Sequence, residues 1–233
     1  MMKPPSTRCC TATTTRAFAM GVLMLTACAS APKAPDWQLE AKSAMDRSVA
    51  AYLQGNVRIE AAELTRARTQ LSSTGRADAM AGAELLHCAA RVASLVREPC
   101  TGFEALRVDA TEAQRAYADY LRGQVTPAKI ALLPASQQAA AGRTADDGNP
   151  LQGIDDPLSL LVAAGVLLET GKANPTTIAQ AVDAASSQGW RRPLLAWLGV
   201  QAQRATHAGH TAEAERLQRH IKLVQNEAAA PTK

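Results

Sequence analysis

Five cysteines and four histidines are the side chains of this sequence with the widest range of chemistry. His87 stands beside Cys88 and could form a thiolate–imidazole pair. Adjacent residues of a helix point in different directions, however, so the adjacency makes no nucleophile. His207, His210 and His220, with Glu213 among them, offer a His-x-x-His pair of the kind that ligates zinc when both rings face one way. Gly209 breaks the chain between the first two and nothing fixes a third ligand. Two turn histidines and one on a helix face is the simpler reading. Asp146-Asp147-Gly148-Asn149 and Asp155-Asp156 supply oxygens of the kind calcium takes. The alternating ligands and terminal bidentate glutamate of an EF-hand loop are missing, and a solvated loop with a helix cap explains these acids better. No nucleophile elbow, Walker loop or dinucleotide glycine motif is present. We therefore expect no catalytic residues, no metal and no cofactor, and the reading leans away from an enzyme.

The remaining cysteines are explained by the N-terminus. Its first sixteen residues carry Lys3, Arg8 and Arg16 and no acid. A compact apolar run, Ala17–Leu25, comes next and is far short of the ~20 apolar residues that span a bilayer. A charged start, a short apolar middle and small residues at the end make a signal peptide over residues 1–27. The box that closes it, Leu25-Thr26-Ala27-Cys28, resembles the lipobox of bacterial lipoproteins: one aliphatic residue, two small ones, then cysteine. The resemblance implies that Cys28 is lipidated and becomes the first mature residue, which attaches the protein to a membrane. Two or three acyl chains, at ~0.8 kcal/mol per buried methylene, hold a protein there durably. Ala29 stands after Cys28 where inner-membrane lipoproteins of this class carry aspartate. The expected address is therefore the periplasmic face of the outer membrane.

Cys9 and Cys10 leave with the signal, and Cys28 is consumed by lipid. Cys88 and Cys100 remain, an even pair in an oxidising compartment, and that reads as one disulfide. Two buried free thiols are the alternative. On one straight helix the two would lie ~18 Å apart, too far to bridge. Glu98-Pro99 lies just before Cys100, so a helix that ends near Val96 and a chain that folds back would bring them together.

The chain is formally +4, from 25 basic and 21 acidic side chains. The signal supplies three of the basic ones, so the mature part holds 22 against 21. The apparent basicity belongs to targeting. No basic stripe is evident, and aromatic residues make up 3% of the chain. Both facts argue against nucleic acid as a partner.

The elements that must position these residues read as helices. Residues 28–35 are small and proline-bearing and form a tether. Alternating strand patterns are missing from the rest of the chain, and helical spacing dominates it. We expect helices over 36–54, 57–71, 76–97, 102–107, 111–122 and 127–138, making an N-terminal helical region over 36–141. A loop or linker is expected at 142–154. A C-terminal region of hairpins, 155–227, opens at Asp156-Pro157, a cap with proline behind it in the first turn. Its expected helices are 158–170, nearly all apolar, then 176–188, 192–207 and 211–226. Residues 228–233 form a loose tail.

Successive helix–turn–helix units resemble tetratricopeptide-like repeats. In the last pair Ala202, Gly209, Ala214 and Ile221 stand where that motif places its small, turn, small and apolar residues. The consensus aromatics are absent, and the turn glycines Gly55, Gly123, Gly171 and Gly209 keep no constant interval. The fold expected is all-α, antiparallel helical hairpins, either repeat-like or an irregular bundle. Most large aromatics read as packing residues. Tyr117 and Tyr120, at i and i+3, are the candidates for a partner-binding surface. The expected function is a lipid-tethered helical adaptor that binds an envelope protein. The alternatives are a small-ligand binder or enzyme with a site built from distant residues, and a purely structural envelope lipoprotein.

Overall fold

Alanine and leucine at helical spacing decide the architecture. In the first long segment Ala41, Ala44, Met45, Ser48, Val49, Tyr52 and Leu53 are buried. They form one stripe along a helix, with polar residues on the other side. A computed structural model of the chain describes residues 34–144 and 146–229. The signal, Cys28 and all but the last two residues of the expected tether lie outside the described residues.

The described residues fall in one compact unit. They form helices α1 (Asp36–Gln54), α2 (Val57–Ser72), α3 (Ala77–Ala93), α4 (Thr101–Glu104) and α5 (Glu112–Leu121). A 3-10 turn (Pro127–Leu132) leads to α6 (Ala135–Ala141). Then come α7 (Pro157–Glu169), α8 (Pro175–Ser187), α9 (Arg191–His207) and α10 (Thr211–Ala229). No strand occurs among the described residues. The protein is all-α.

Helices α1 and α2 form an antiparallel hairpin around Gly55, whose φ is 85°. Ser48 Oγ donates to Glu60 O across it at 3.1 Å. The hairpin packs on α3, and α3 packs on α5 and α7. Helix α7 is the centre: every residue from Leu161 to Leu167 is buried. A Cβ on Gly165 would lie 2.5 Å from Val92 O, so the bare glycine lets α7 approach the α3 backbone closely. Helices α8, α9 and α10 continue as antiparallel neighbours. Two long-range hydrogen bonds return α9 to the N-terminal half. Trp197 Nε1 donates to Ala93 O at 3.1 Å. Arg192 Nε donates to Tyr52 O at 2.8 Å.

Several boundaries differ from expectation, each for a local reason. Helix α3 stops at Ala93, four residues short of the expected end. Leu95 N–H reaches Val92 O and Val96 N–H reaches Arg91 O, closing the helix in a Schellman turn. That turn normally carries glycine, and none is present to announce it. The expected helix 127–138 is divided because Pro134 holds Leu133 extended, at φ −71° and ψ 158°. Residues 142–144 and 146–154 form no helix, but Leu151 and Ile154 belong to the core cluster that also holds residues of α3, α5, α7, α8 and α9. Residues before and after them therefore share one core. Helix α10 continues to Ala229, two residues into the expected tail.

Candidate binding site at the end of the third helix

The Schellman turn at the end of α3 brings the two cysteines together. It requires Leu95 at φ 58°, the one non-glycine residue with positive φ among those described. A side chain in that region costs ~1–2 kcal/mol. The chain then runs back through Glu98 and Pro99 to Cys100, which precedes α4. Its return is guided by Glu84, a buried carboxylate on α3 held by Arg68 Nε and Nη2 at 2.6 and 2.8 Å. Gly102 packs where any side chain would strike that carboxylate. Cys88 and Cys100 end at disulfide distance, with Cα atoms 5.8 Å apart.

Beside the cysteine pair lies a cavity of about 420 Å³, within the ~300–1,000 Å³ range of small-ligand sites. Its apolar wall is Val92, Leu95, Val96, Pro99 and Leu121, completed by the two cysteines, and Gly165 lines it from α7. No aromatic ring lines it. Charged residues ring it in pairs. Arg97 Nε meets Glu169 Oε2 at 2.6 Å. Arg122 Nη1 meets Glu104 Oε1 at 3.2 Å. Arg91 Nη1 meets Glu98 Oε2 at 3.4 Å.

Arg91 also reaches away from the cavity into a buried polar cluster. Its Nη2 stands 3.4 Å from Glu60 Oε1, and His87 Nε2 stands 3.1 Å from the same oxygen. The Glu60 side chain is 8% exposed. Arg91 and Arg192 flank the Tyr52 ring, at 5.1 and 4.3 Å from its centroid. Burial holds the His87 imidazole below its usual value, against the opposing pull of Glu60. A neutral His87 ring is the state this favours, with its Nε2 3.1 Å from Glu60 Oε1 and 3.2 Å from Arg91 Nη2. Burial likewise pushes the Tyr52 hydroxyl up, against the pull of both arginines. This cluster joins α1, α2, α3 and α9.

His87 and Cys88 thus part company: the first turns to Glu60 and the second to Cys100. Tyr120 is 1% exposed, donating to Gln137 Oε1 at 2.8 Å, while Gln137 Nε2 donates to Ser159 O at 3.0 Å. Tyr120 therefore offers nothing to a partner surface, and the expectation is corrected for that residue. Tyr117 stacks on it, with ring centroids 6.1 Å apart. Tyr117 is half-buried and lines a shallow groove with Leu86 and Pro134. Burial raises both hydroxyls far above the ordinary tyrosine value. His207, His210 and His220 are exposed. No group of histidine, cysteine and acidic residues is arranged to hold a metal among the described residues. Asp147 closes its own loop by accepting from Thr144 N at 2.7 Å. Asp156 caps α7 by accepting from Ser159 N, also at 2.7 Å.

Sequence reasoning missed Leu95, Arg97, Leu121, Arg122, Gly165 and Glu169. They come from separate stretches of the chain, and no spacing links them. The glycine inside the apolar run of α7 was the one legible signal, since such a glycine marks a close backbone approach. No protein-family profile, curated protein or solved structure matches this chain.

Proposed function

We propose that the protein is a lipid-tethered helical adaptor, held at the periplasmic face of the outer membrane and bound to an envelope protein. The observation that carries this reading is Leu25-Thr26-Ala27-Cys28 at the end of a charged and then apolar leader. Helix α1 begins at Asp36, so seven residues separate it from Cys28. A tether of that length, fully extended, reaches roughly 25 Å. The adaptor would work close to the bilayer. No helix among the described residues is long and apolar enough to cross a membrane. Stacked helical hairpins with long exposed faces suit a binding role, an argument from architecture alone.

The test is crosslinking in cells, isolation from membranes and identification of the attached proteins, beside a Cys28→Ser chain that cannot be lipidated. One recurrent envelope protein, reduced in the Cys28→Ser control, supports the adaptor. An abundant, folded protein with no partner rejects it in favour of a structural lipoprotein. Equal membrane retention of the Cys28→Ser chain rejects the lipid anchor. The cavity beside Cys88 and Cys100 favours a second reading, a small-ligand binder.

A further inference from the structure

We propose that the cavity at the end of α3 binds the aliphatic chain of a single-chain amphiphile whose head is zwitterionic. This goes beyond the adaptor reading and stands whether or not that reading holds. Three independent features converge on the cavity. Its wall is aliphatic, with Val92, Leu95, Val96, Pro99 and Leu121 and no ring against which an aromatic ligand could stack. One of its lining residues, Leu95 at the α3 terminus, keeps a costly left-handed backbone. Strain of this kind concentrates at ligand sites. Its rim alternates in sign, with Arg97–Glu169, Arg122–Glu104 and Arg91–Glu98 as three acid–base pairs.

The rim selects the head. Three guanidinium groups face three carboxylates, so a purely anionic or purely cationic head meets a like charge beside each opposite one. A zwitterion can set its anionic group against a guanidinium and its cationic group against the neighbouring carboxylate. Arg97 and Glu169 are the pair best placed to do this, being 67% and 38% exposed and paired with each other, whereas Arg122 is shared with Asp119, Glu104 with Arg107 and Arg91 with Glu60. The aliphatic wall selects the tail, because each methylene taken from water strengthens binding about fourfold.

The test uses the full chain carrying Cys28→Ser and alkyl probes below their micelle concentrations. Phosphocholines of six, eight and ten carbons are titrated calorimetrically, beside the sulfate and the trimethylammonium with ten. The expected result is saturable binding at one site, tightening about fourfold per methylene until the cavity is full. The phosphocholine should bind about threefold tighter than either singly charged head, the range of exposed ion pairs. Val96→Trp places an indole ring in the apolar wall and should weaken binding at that site and shorten the chain length at which tightening stops, with circular dichroism showing the helices intact. If Val96→Trp fails to fold, the double variant Arg97→Gln, Glu169→Gln serves instead, since both residues are at the surface. It should reduce the preference for the zwitterion and leave the chain-length dependence unchanged. Absence of saturable binding overturns the proposal. So does binding that a folded Val96→Trp leaves unaltered. Equal affinity for all three heads overturns the zwitterion.

Discussion

Helix α3 divides two regions that share its residues but not their character. Towards α1 and α2 it presents His87 and Arg91 to a buried carboxylate, and the three side chains there are largely buried and in contact with one another. Towards α5 and α7 it presents Cys88 and Val92, with Leu95 in the turn after its end, to an open aliphatic cavity whose charges stay at the rim. Successive residues of one helix thus serve a sealed polar cluster and an accessible apolar hollow. The difference is between buried charge, which holds neighbouring helices in one arrangement, and exposed charge, which remains available to a ligand. Arg91 touches both, so a change on either side is felt by the other.

The largest expected effect comes from the cysteines, which wall the cavity and stand at disulfide distance between α3 and the segment before α4. Closing the chain between residues 88 and 100 restricts the unfolded state by about 3 kcal/mol on the loop-entropy estimate. The double variant Cys88→Ala, Cys100→Ala should lose about that much in urea denaturation under oxidising conditions. Adding reductant should bring the wild type to the same midpoint and leave the variant unmoved. A wild type indifferent to reductant means the two thiols are not joined.

Next come the two carboxylates on Arg91. Glu60→Ala should cost roughly 2–3 kcal/mol, less than a fully buried pair because Arg91 still reaches solvent and Glu98. Glu98→Ala, at a side chain 61% exposed, should stay within about 0.5 kcal/mol. Denaturant midpoints of the two variants decide this. Equal losses would erase the distinction between the sealed side and the open one.

The same contrast should appear with pH. Burial lowers the His87 value in the folded protein, so folding favours the neutral ring. The stability from this preference is fully present above about pH 6.5, the ordinary histidine value. It is lost as pH falls below that and the unfolded chain takes up a proton that the folded chain refuses. Between pH 7 and pH 5 the wild type should lose stability more steeply than His87→Gln. Every other residue is common to both proteins, so the comparison isolates position 87. Parallel curves would show that Glu60 compensates fully for burial.

Legibility in the sequence divides along the same line. Helix starts were readable because their chemistry is local. Asp156 before Pro157 is a cap, and it caps α7 as its type demands. The buried helix α7 announced itself as an unbroken apolar run. The cysteine pair was readable from parity and from Pro99. The cavity was not, because its walls come from α3, the 97–100 segment, α5 and α7, and only the fold brings these together. The polar cluster was hidden for a related reason: Glu60 looks like any surface glutamate of an amphipathic helix until His87 and Arg91, about thirty residues later, close over it.

The end of α3 was misread for the most instructive reason, and it supplies the smallest effect expected. Helix α5 ends in the same kind of turn, with Gly123 at φ 68° where α3 has Leu95 at φ 58°. Glycine accepts this backbone without strain, whereas leucine pays for it in steric energy and returns something through its side chain. Leu95 is partly buried against the core and lines the cavity. Two variants separate the terms. Leu95→Ala removes the packing and keeps the strain, so it should lose about 1 kcal/mol or more. Leu95→Gly removes both and should stand about 1 kcal/mol above Leu95→Ala, close to the wild type. Both variants should bind the alkyl phosphocholines more weakly than the wild type, since both shorten the cavity wall. A Leu95→Gly protein as stable as the wild type but weaker in binding would show that this leucine serves the cavity rather than the fold. Equal stability of the two variants would mean that the left-handed turn carries no measurable cost, and Leu95 would then be a packing residue like its neighbours.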